Sequence, residues 1–162
     1  MRALLVVNPK ATTTSDYNRD LLIRALAGRV DLQVAYTKRR GHAVSLAHDA
    51  AREGFDLLVT LGGDGTVNEA VNGLLSADPD GAAYGAHRRP MLAVVPGGST
   101  NVFARAVGLP RDWAEATQVI LAALREGRTR TVGVGRADDR YFTFCAGLGL
   151  DAGDVVHGKL GE

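Results

Sequence analysis

Phe55-Asp56-Leu57-Leu58-Val59-Thr60-Leu61-Gly62-Gly63-Asp64-Gly65-Thr66-Val67-Asn68-Glu69-Ala70-Val71-Asn72-Gly73-Leu74-Leu75 is the stretch whose reading decides the fold. Its first seven residues form a short apolar run, read as a buried strand. The run passes directly into four residues of which three are glycine. Val67, Ala70, Val71, Leu74 and Leu75 then recur at helical spacing, an apolar stripe on a helix starting at about Thr66. Glycines let backbone N–H groups approach an oxyanion with no Cβ in the way. A helix N-terminus adds unpaired donors and the positive end of a dipole. In an open parallel sheet, ligands bind beyond the carboxyl ends of the strands. Gly62, Gly63, Gly65 and Thr66 therefore read as an anion site, with phosphate as its natural guest.

Asp64 narrows the chemistry. A carboxylate beside phosphates repels them unless a divalent cation stands between, or unless it orients a hydroxyl. The alternative is an N-cap of the following helix. Thr66-Val67-Asn68-Glu69 also fits a capping box, in which Glu69 bonds back to the helix start. That leaves Asn68, a poor helix former, at a position the cap does not use. Both standard phosphate fingerprints fail: there is no G-x-x-x-x-G-K-[ST], and Gly63 and Gly65 are followed by Asn68 where a dinucleotide loop needs glycine. Gly147-Leu148-Gly149 with Gly153 has the wrong spacing.

Working outward, 3–7 is another apolar strand, ended by Asn8-Pro9. Ser15 or Asp16 caps a helix with Tyr17, Leu21, Leu22, Ala25 and Leu26 on one face, and Gly28 ends it. A strand over 30–36 and a helix over 41–53 follow, the helix carrying Val44, Ala47 and Ala51 on one side. After the central stretch, 78–89 is a polar loop and 91–95 a strand closed by Pro96-Gly97-Gly98. A helix runs from Ser99 or Thr100 to Gly108. The next opens on the capping pattern Asp112-Trp113-Ala114-Glu115, turns Trp113, Ala116, Ile120, Ala123 and Leu124 inward and stops at Gly127. Beyond 129 come strands over 131–134 and 141–148 around a turn at 137–139. Alternating strands and helices predict an α/β domain over 1–128, three layers with a mostly parallel sheet. Residues 129–162 read as the beginning of a β-type second domain, too short to fold separately, so that these strands either add to the first sheet or are a fragment.

The chain has 162 residues and is 46% hydrophobic, enough for one domain with its own core. With 19 basic against 18 acidic side chains it lacks the basic excess that nucleic-acid binding needs. Lys38-Arg39-Arg40 reads equally as a solvated turn or a patch facing phosphate or membrane. Cys145 is the single cysteine, so no disulfide forms within the chain, and it reads as a small core thiol. No apolar run is long enough for a signal peptide or membrane span. His48, His87 and His157 share no metal-ligand spacing with one another or with Cys145.

Four segments, in order, resemble the diacylglycerol kinase catalytic-domain family, which includes bacterial lipid kinases and sphingosine kinases and is distantly related to NAD kinases. They are Asn8-Pro9; Thr37 with Gly41-His42-Ala43; Gly62-Gly63-Asp64-Gly65-Thr66-Val67-Asn68-Glu69; and Pro96-Gly97-Gly98-Ser99-Thr100-Asn101-Val102-Phe103-Ala104-Arg105. A weaker fifth is Ala146-Gly147-Leu148-Gly149-Leu150-Asp151-Ala152. The resemblance implies an α/β domain like that of NAD kinases and 6-phosphofructokinases, followed by a β-sandwich, with ATP and acceptor meeting between them. It implies that Asn8, Thr37 and Ser99 border the nucleotide, and that Gly62, Gly63, Asp64, Gly65, Thr66, Val67 and Asn68 hold its phosphates. Asp64 takes the catalytic role. Glu69, Asn101 and Asp151 fall on the acceptor side, and His42 is a structural or nucleotide-edge group. Asn101-Val102-Phe103 departs from the asparagine-aspartate-phenylalanine of many bacterial members, as sphingosine kinases do. The family's proposed general base, a glutamate late in the second domain, falls beyond Glu162.

The resemblance thus implies a cytoplasmic, ATP- and Mg²⁺-dependent kinase of phospholipid metabolism, acting on diacylglycerol or a sphingoid-type lipid through transient contact with the membrane surface. A homodimer is left open. Two other readings stand beside it. One is a nucleotide-binding module that does not complete catalysis. The other is an NAD kinase, against which the segment from Pro96 to Arg105 argues.

Overall fold

In the computed structural model, which describes residues 1–11, 15–77 and 89–144, the chain alternates strand and helix. In order come β1 (Arg2–Val7), α1 (Asp16–Ala27), β2 (Asp31–Tyr36), α2 (His42–Arg52), β3 (Leu57–Gly62), α3 (Asp64–Ser76), β4 (Met91–Pro96), α4 (Val102–Ala106), α5 (Trp113–Glu126), β5 (Gly135–Ala137) and β6 (Arg140–Phe142). The first four strands form one sheet in the order β2-β1-β3-β4, every pair parallel. Helices cover both of its faces, the three-layer arrangement the sequence predicts.

Strand periodicity sorts the core into two. Ala3, Leu5 and Val7 of β1 and Leu57, Val59 and Leu61 of β3 point to one face, against Leu22 and Leu26 of α1 and Ile120 of α5. Leu4, Val6 and Leu58 point to the other, against Ala43, Ala47, Ala50 and Ala51 of α2 and Ala70 and Leu74 of α3. Both central strands are thus buried on two sides, which is why they read as unbroken apolar runs. Small residues draw α2 and α3 together. A Cβ on Gly73 would run into the Val44 carbonyl oxygen and lie 2.8 Å from Ala47 Cβ, so α3 is wedged in place along its length.

The expected caps form. The Asn18 N–H donates to Ser15 Oγ at 3.1 Å. Asp112 Oδ1 accepts from the N–H groups of Ala114 and Glu115 at 2.9 and 3.0 Å, and Gly127 ends α5 at φ 65°.

Several boundaries differ from expectation. On α1 only Leu22 and Leu26 are buried, while Tyr17 is 74% and Leu21 44% exposed. The helix lies over edge strand β2, where the sheet ends, and among the described residues its outer side is left open. The helix expected from Ser99 or Thr100 starts at Val102, because residues 98–101 are closed into a turn of their own. No strand forms over 131–134. That segment lies against the free side of β4, where Val132 and Val134 help line an apolar cavity of about 770 Å³. The β pattern begins at Gly135 instead, as an antiparallel hairpin of β5 and β6 turning at Asp138, φ 52°. Phe142 lies over Gly135, whose Cβ it would displace. Cys145, the 147–153 glycine cluster, Asp151, His87 and His157 lie outside the described residues, as does 78–88.

Candidate functional site

In the order β2-β1-β3-β4 the chain leaves β1 toward one edge of the sheet and β3 toward the other. The crevice between their carboxyl ends is the topological switch point, where open α/β sheets bind ligands. Asn8, Gly62 and Gly63 occupy it.

Asn8 is fixed from three directions. Its N–H donates to the Leu61 carbonyl at 2.9 Å, Nδ2 donates to Thr66 Oγ1 at 3.2 Å, and Oδ1 accepts from the Lys10 N–H at 3.0 Å. Thr37 lies alongside, its N–H bonded to the Val7 carbonyl at 2.9 Å. Thr66 is buried under Gly62, where a Cβ would lie 2.6 Å from Thr66 Oγ1. Gly62 is therefore required by the fold of the turn.

The turn after β3 is backed by the turn after β4. The Gly97 N–H donates to the Gly62 carbonyl at 2.9 Å. A Cβ on Gly98 would stand 2.7 Å from Gly63 Cα, and one on Gly63 3.3 Å from Gly98 Cα. The second turn is stapled by Asn101, a left-handed residue at φ 47°. Its Oδ1 accepts from the Gly98 N–H at 2.9 Å, and its Nδ2 donates to the Gly98 carbonyl. Ser99 and Thr100 are left exposed at the tip.

Asp64 is the first residue of α3, and the N-cap is Gly63, with no side-chain cap bond. The capping alternative for Asp64 on its own helix is thereby corrected. Its carboxylate reaches across to the second turn: Oδ2 accepts from Thr100 Oγ1 and Oδ1 from the Phe103 N–H, both at 3.0 Å. Within the helix start, the N–H groups of Thr66 and Val67 both bond the Gly63 carbonyl, at 3.0 and 3.2 Å. The N–H groups of Gly63, Asp64 and Gly65 have no protein partner among the described residues. Three adjacent donors at the positive end of a helix form a cradle for an oxyanion. Val67 turns its side chain into the core against Val94 and Phe103.

Glu69 makes no capping box either. Since α3 starts two residues before Thr66, Glu69 is past its first turn and faces α2. Its Oε1 accepts from the Gly41 N–H at 2.8 Å and its Oε2 from the Ala43 N–H at 3.2 Å. It caps the neighbouring helix, whose own N-cap, Gly41 at φ 82°, offers no side chain. His42 Nδ1 accepts from the Lys38 N–H at 3.1 Å, a structural role for that ring.

Asn68 and Asn72 point together toward the hairpin. Asn68 Oδ1 accepts from Thr143 Oγ1 at 3.4 Å, while Asn72 pairs with both backbone groups of Tyr141. Neither Asn72 nor Thr100 is singled out by sequence reasoning. Asn72 had a signal: a second poor helix former four residues after Asn68, on the same face. Among the described residues no group of three or more His, Cys, Asp or Glu converges on a metal position.

Residues 2–137 match the family model of the diacylglycerol kinase catalytic domain. A diacylglycerol kinase of Bacillus subtilis (strain 168) is 41% identical over 110 residues, covering 67% of this chain and 32% of its own length. One from Staphylococcus aureus (strain bovine RF122 / ET3-1) is 33% identical over 144 residues, covering 87% of this chain and 41% of its own. A crystal structure of a diacylglycerol kinase from Bacillus anthracis str. Sterne superposes with a TM-score of 0.74 at 34% identity, covering 87% of this chain and 45% of that one. The chain thus spans less than half the length of these relatives. The family match takes in all four parallel strands, both glycine turns and Asp64. This chain belongs to the diacylglycerol kinase catalytic domain family.

Proposed function

We propose that this chain is the nucleotide-holding part of an ATP-dependent lipid kinase that moves the γ-phosphoryl group to a hydroxyl of diacylglycerol. The observation that carries the reading is the cradle at Gly63, Asp64 and Gly65, three amides without a partner among the described residues, set at the switch point of the sheet beside a carboxylate. Family membership and relatives named diacylglycerol kinase support the choice of reaction.

The amides receive phosphate oxygens, and because they are held by the Gly63–Gly98 contact they need no rearrangement as charge develops. Asn8, Thr37 and Ser99 border the nucleotide. Asp64 spends two of its lone-pair directions on Thr100 and Phe103 and keeps the others for a divalent cation or the acceptor hydroxyl. A single carboxylate suits Mg²⁺, which is usually held by one or two carboxylates together with substrate phosphates. When bound there, with Asp64 as a protein ligand, Mg²⁺ would neutralise charge on the phosphates. The acceptor hydroxyl loses its proton as its oxygen bonds to the γ-phosphorus, and the bond to the β-γ bridging oxygen breaks to leave ADP.

Glu69 and Asn101 hold the flanking turns through two backbone bonds each, and their remaining hydrogen-bonding capacity keeps both on the acceptor side. Asp151 keeps its acceptor-side assignment. Residues 1–128 are the nucleotide unit and 129–162 open a β-type acceptor unit, a division supported by the change from a parallel sheet to an antiparallel hairpin. Among the described residues no helix is long and apolar enough to cross a membrane. Because diacylglycerol lies in a bilayer, contact with the membrane surface is proposed to be peripheral and transient, from the cytoplasm.

The test incubates the natural protein containing this chain with labelled ATP, Mg²⁺ and separate acceptors: diacylglycerol, a sphingoid base and NAD. Label should appear in phosphorylated diacylglycerol, and Asp64→Asn should lower the rate by about a hundredfold or more. Transfer to NAD alone, ATP binding without turnover, or full activity of Asp64→Asn would each overturn the corresponding part of the proposal.

A further inference from the structure

We propose that Asn72 is a positioning residue: its side-chain amide stands in for a neighbouring strand and locks β6 to the helix that carries the phosphate cradle. The proposal builds on the kinase reading, because it concerns how the acceptor side is held relative to the transferring phosphate.

Tyr141 lies in β6 opposite Arg136 of β5. In an antiparallel pair, alternate residues turn both N–H and C=O away from their partner strand. Tyr141 does so toward α3, and Asn72 meets both groups: Nδ2 donates to the Tyr141 carbonyl at 2.8 Å, and Oδ1 accepts from the Tyr141 N–H at 2.9 Å. A primary amide presents a donor and an acceptor side by side, as a strand residue does. The second N–H of Nδ2 donates to the Asn68 carbonyl at 2.8 Å, which fixes the amide's orientation. Thr143 adds a longer bond to Asn68 one turn nearer the cradle.

Close backbone packing joins the cradle to this clamp. Gly63 abuts Gly98 at the helix start, and Gly73, next to Asn72, is wedged against the Val44 carbonyl of α2. Close packing at Gly63 and Gly73 holds α3 against its neighbours, so the position of α3 sets that of β6 through Asn72. The chain that follows β6 then starts from a defined place relative to Gly63–Gly65. Misplacing reacting groups by about 1 Å can cost on the order of a hundredfold in rate. A clamp at this junction thus acts on turnover more than on nucleotide affinity.

The experiment compares the natural protein with Asn72→Ala and Asn72→Asp. Asp keeps the acceptor for Tyr141 N–H but sets an oxygen against the Tyr141 and Asn68 carbonyls. Amide hydrogen exchange is read at Tyr141 and at Gly65, with and without ATP and Mg²⁺, alongside steady-state kinetics. Tyr141 should exchange about tenfold faster or more in both variants. Nucleotide should protect Gly65 in all three proteins but Tyr141 in the natural protein alone. The KM for ATP should stay within about twofold while kcat falls about tenfold or more. Equal Tyr141 exchange in all three, or ATP protection reaching Tyr141 in Asn72→Ala, would overturn the clamp. If ATP protects no residue in the natural protein, the nucleotide reading fails, and exchange in the free proteins still decides whether Asn72 holds β6. A fall in nucleotide affinity matching the fall in kcat would show a merely structural role and refute positioning.

Discussion

Gly65→Ala separates what the fold needs from what the ligand needs. Gly65 is exposed, second in α3 and outside the left-handed region, and a Cβ built on it meets no atom within 4 Å. Its three neighbouring glycines differ: Gly62 is pressed by Thr66, and Gly63 and Gly98 by each other. Nothing in the protein requires glycine at 65. Alanine is the better helix former by up to about 1 kcal/mol in a helix interior, so a gain of roughly 0.5 kcal/mol is expected near the helix start. That corresponds to about 1–2 °C in Tm for a domain of this size. The same methyl group would stand beside the Gly65 amide, where a phosphate oxygen must come within hydrogen-bonding distance. Losing one charge-assisted bond costs about 1.5–3 kcal/mol, roughly a tenfold to hundredfold rise in Kd for ATP. Thermal unfolding and calorimetric titration with ATP and Mg²⁺, on one preparation, measure both. A variant that binds ATP like the parent, or unfolds well below it, would refute the reasoning.

Two further substitutions probe the scaffold. Gly98→Ala brings a methyl group to 2.7 Å from Gly63 Cα, against an ordinary carbon–carbon contact of about 3.5–4 Å, and strains the Gly97–Gly62 hydrogen bond. Both turns must part, so thermal unfolding should show a loss of about 2–4 kcal/mol, and titration should show ATP affinity falling with it. Thr60→Val acts in the opposite direction. Among the described residues Thr60 Oγ1 is buried with no hydrogen-bond partner, in the central strand. The near-isosteric methyl should stabilise by about 1 kcal/mol in denaturant unfolding with ATP binding unchanged, whereas a destabilised variant would mean the hydroxyl has an unseen partner.

The parallel core was legible because β1 and β3 are buried on both faces and so read as continuous apolar runs, each cut off by a turn signal. The phosphate turn was legible for the same reason: strand, glycines and helix are contiguous in the chain, and their geometry is local. The work of the acidic side chains was not. Asp64 and Glu69 both sit where an N-cap or capping box of α3 was plausible, yet each caps a different helix, α4 and α2. Local pattern cannot show that choice, which depends on which helix starts the sheet topology brings alongside α3. Asn72 was missed likewise, since its partner Tyr141 is 69 residues away and its β6 edge exists only once the hairpin has formed. The α1 stripe was read too wide, because Tyr17 and Leu21 keep the helical spacing but overhang the end of the sheet. Residues 131–134 have a strand-like composition, yet Val132 and Val134 line the cavity beside β4 without joining the sheet.

The central claim is that phosphate binds the amides at the carboxyl ends of β1 and β3. It is tested most directly by following backbone amide NMR signals of the protein as ATP and Mg²⁺ are added. The account predicts the largest shifts at Gly63, Asp64 and Gly65, with Asn8, Thr37 and Ser99 next. Shifts clustered instead around the apolar cavity beside β4, at Leu92, Leu109 and Leu124, with the glycine turn unmoved, would contradict it.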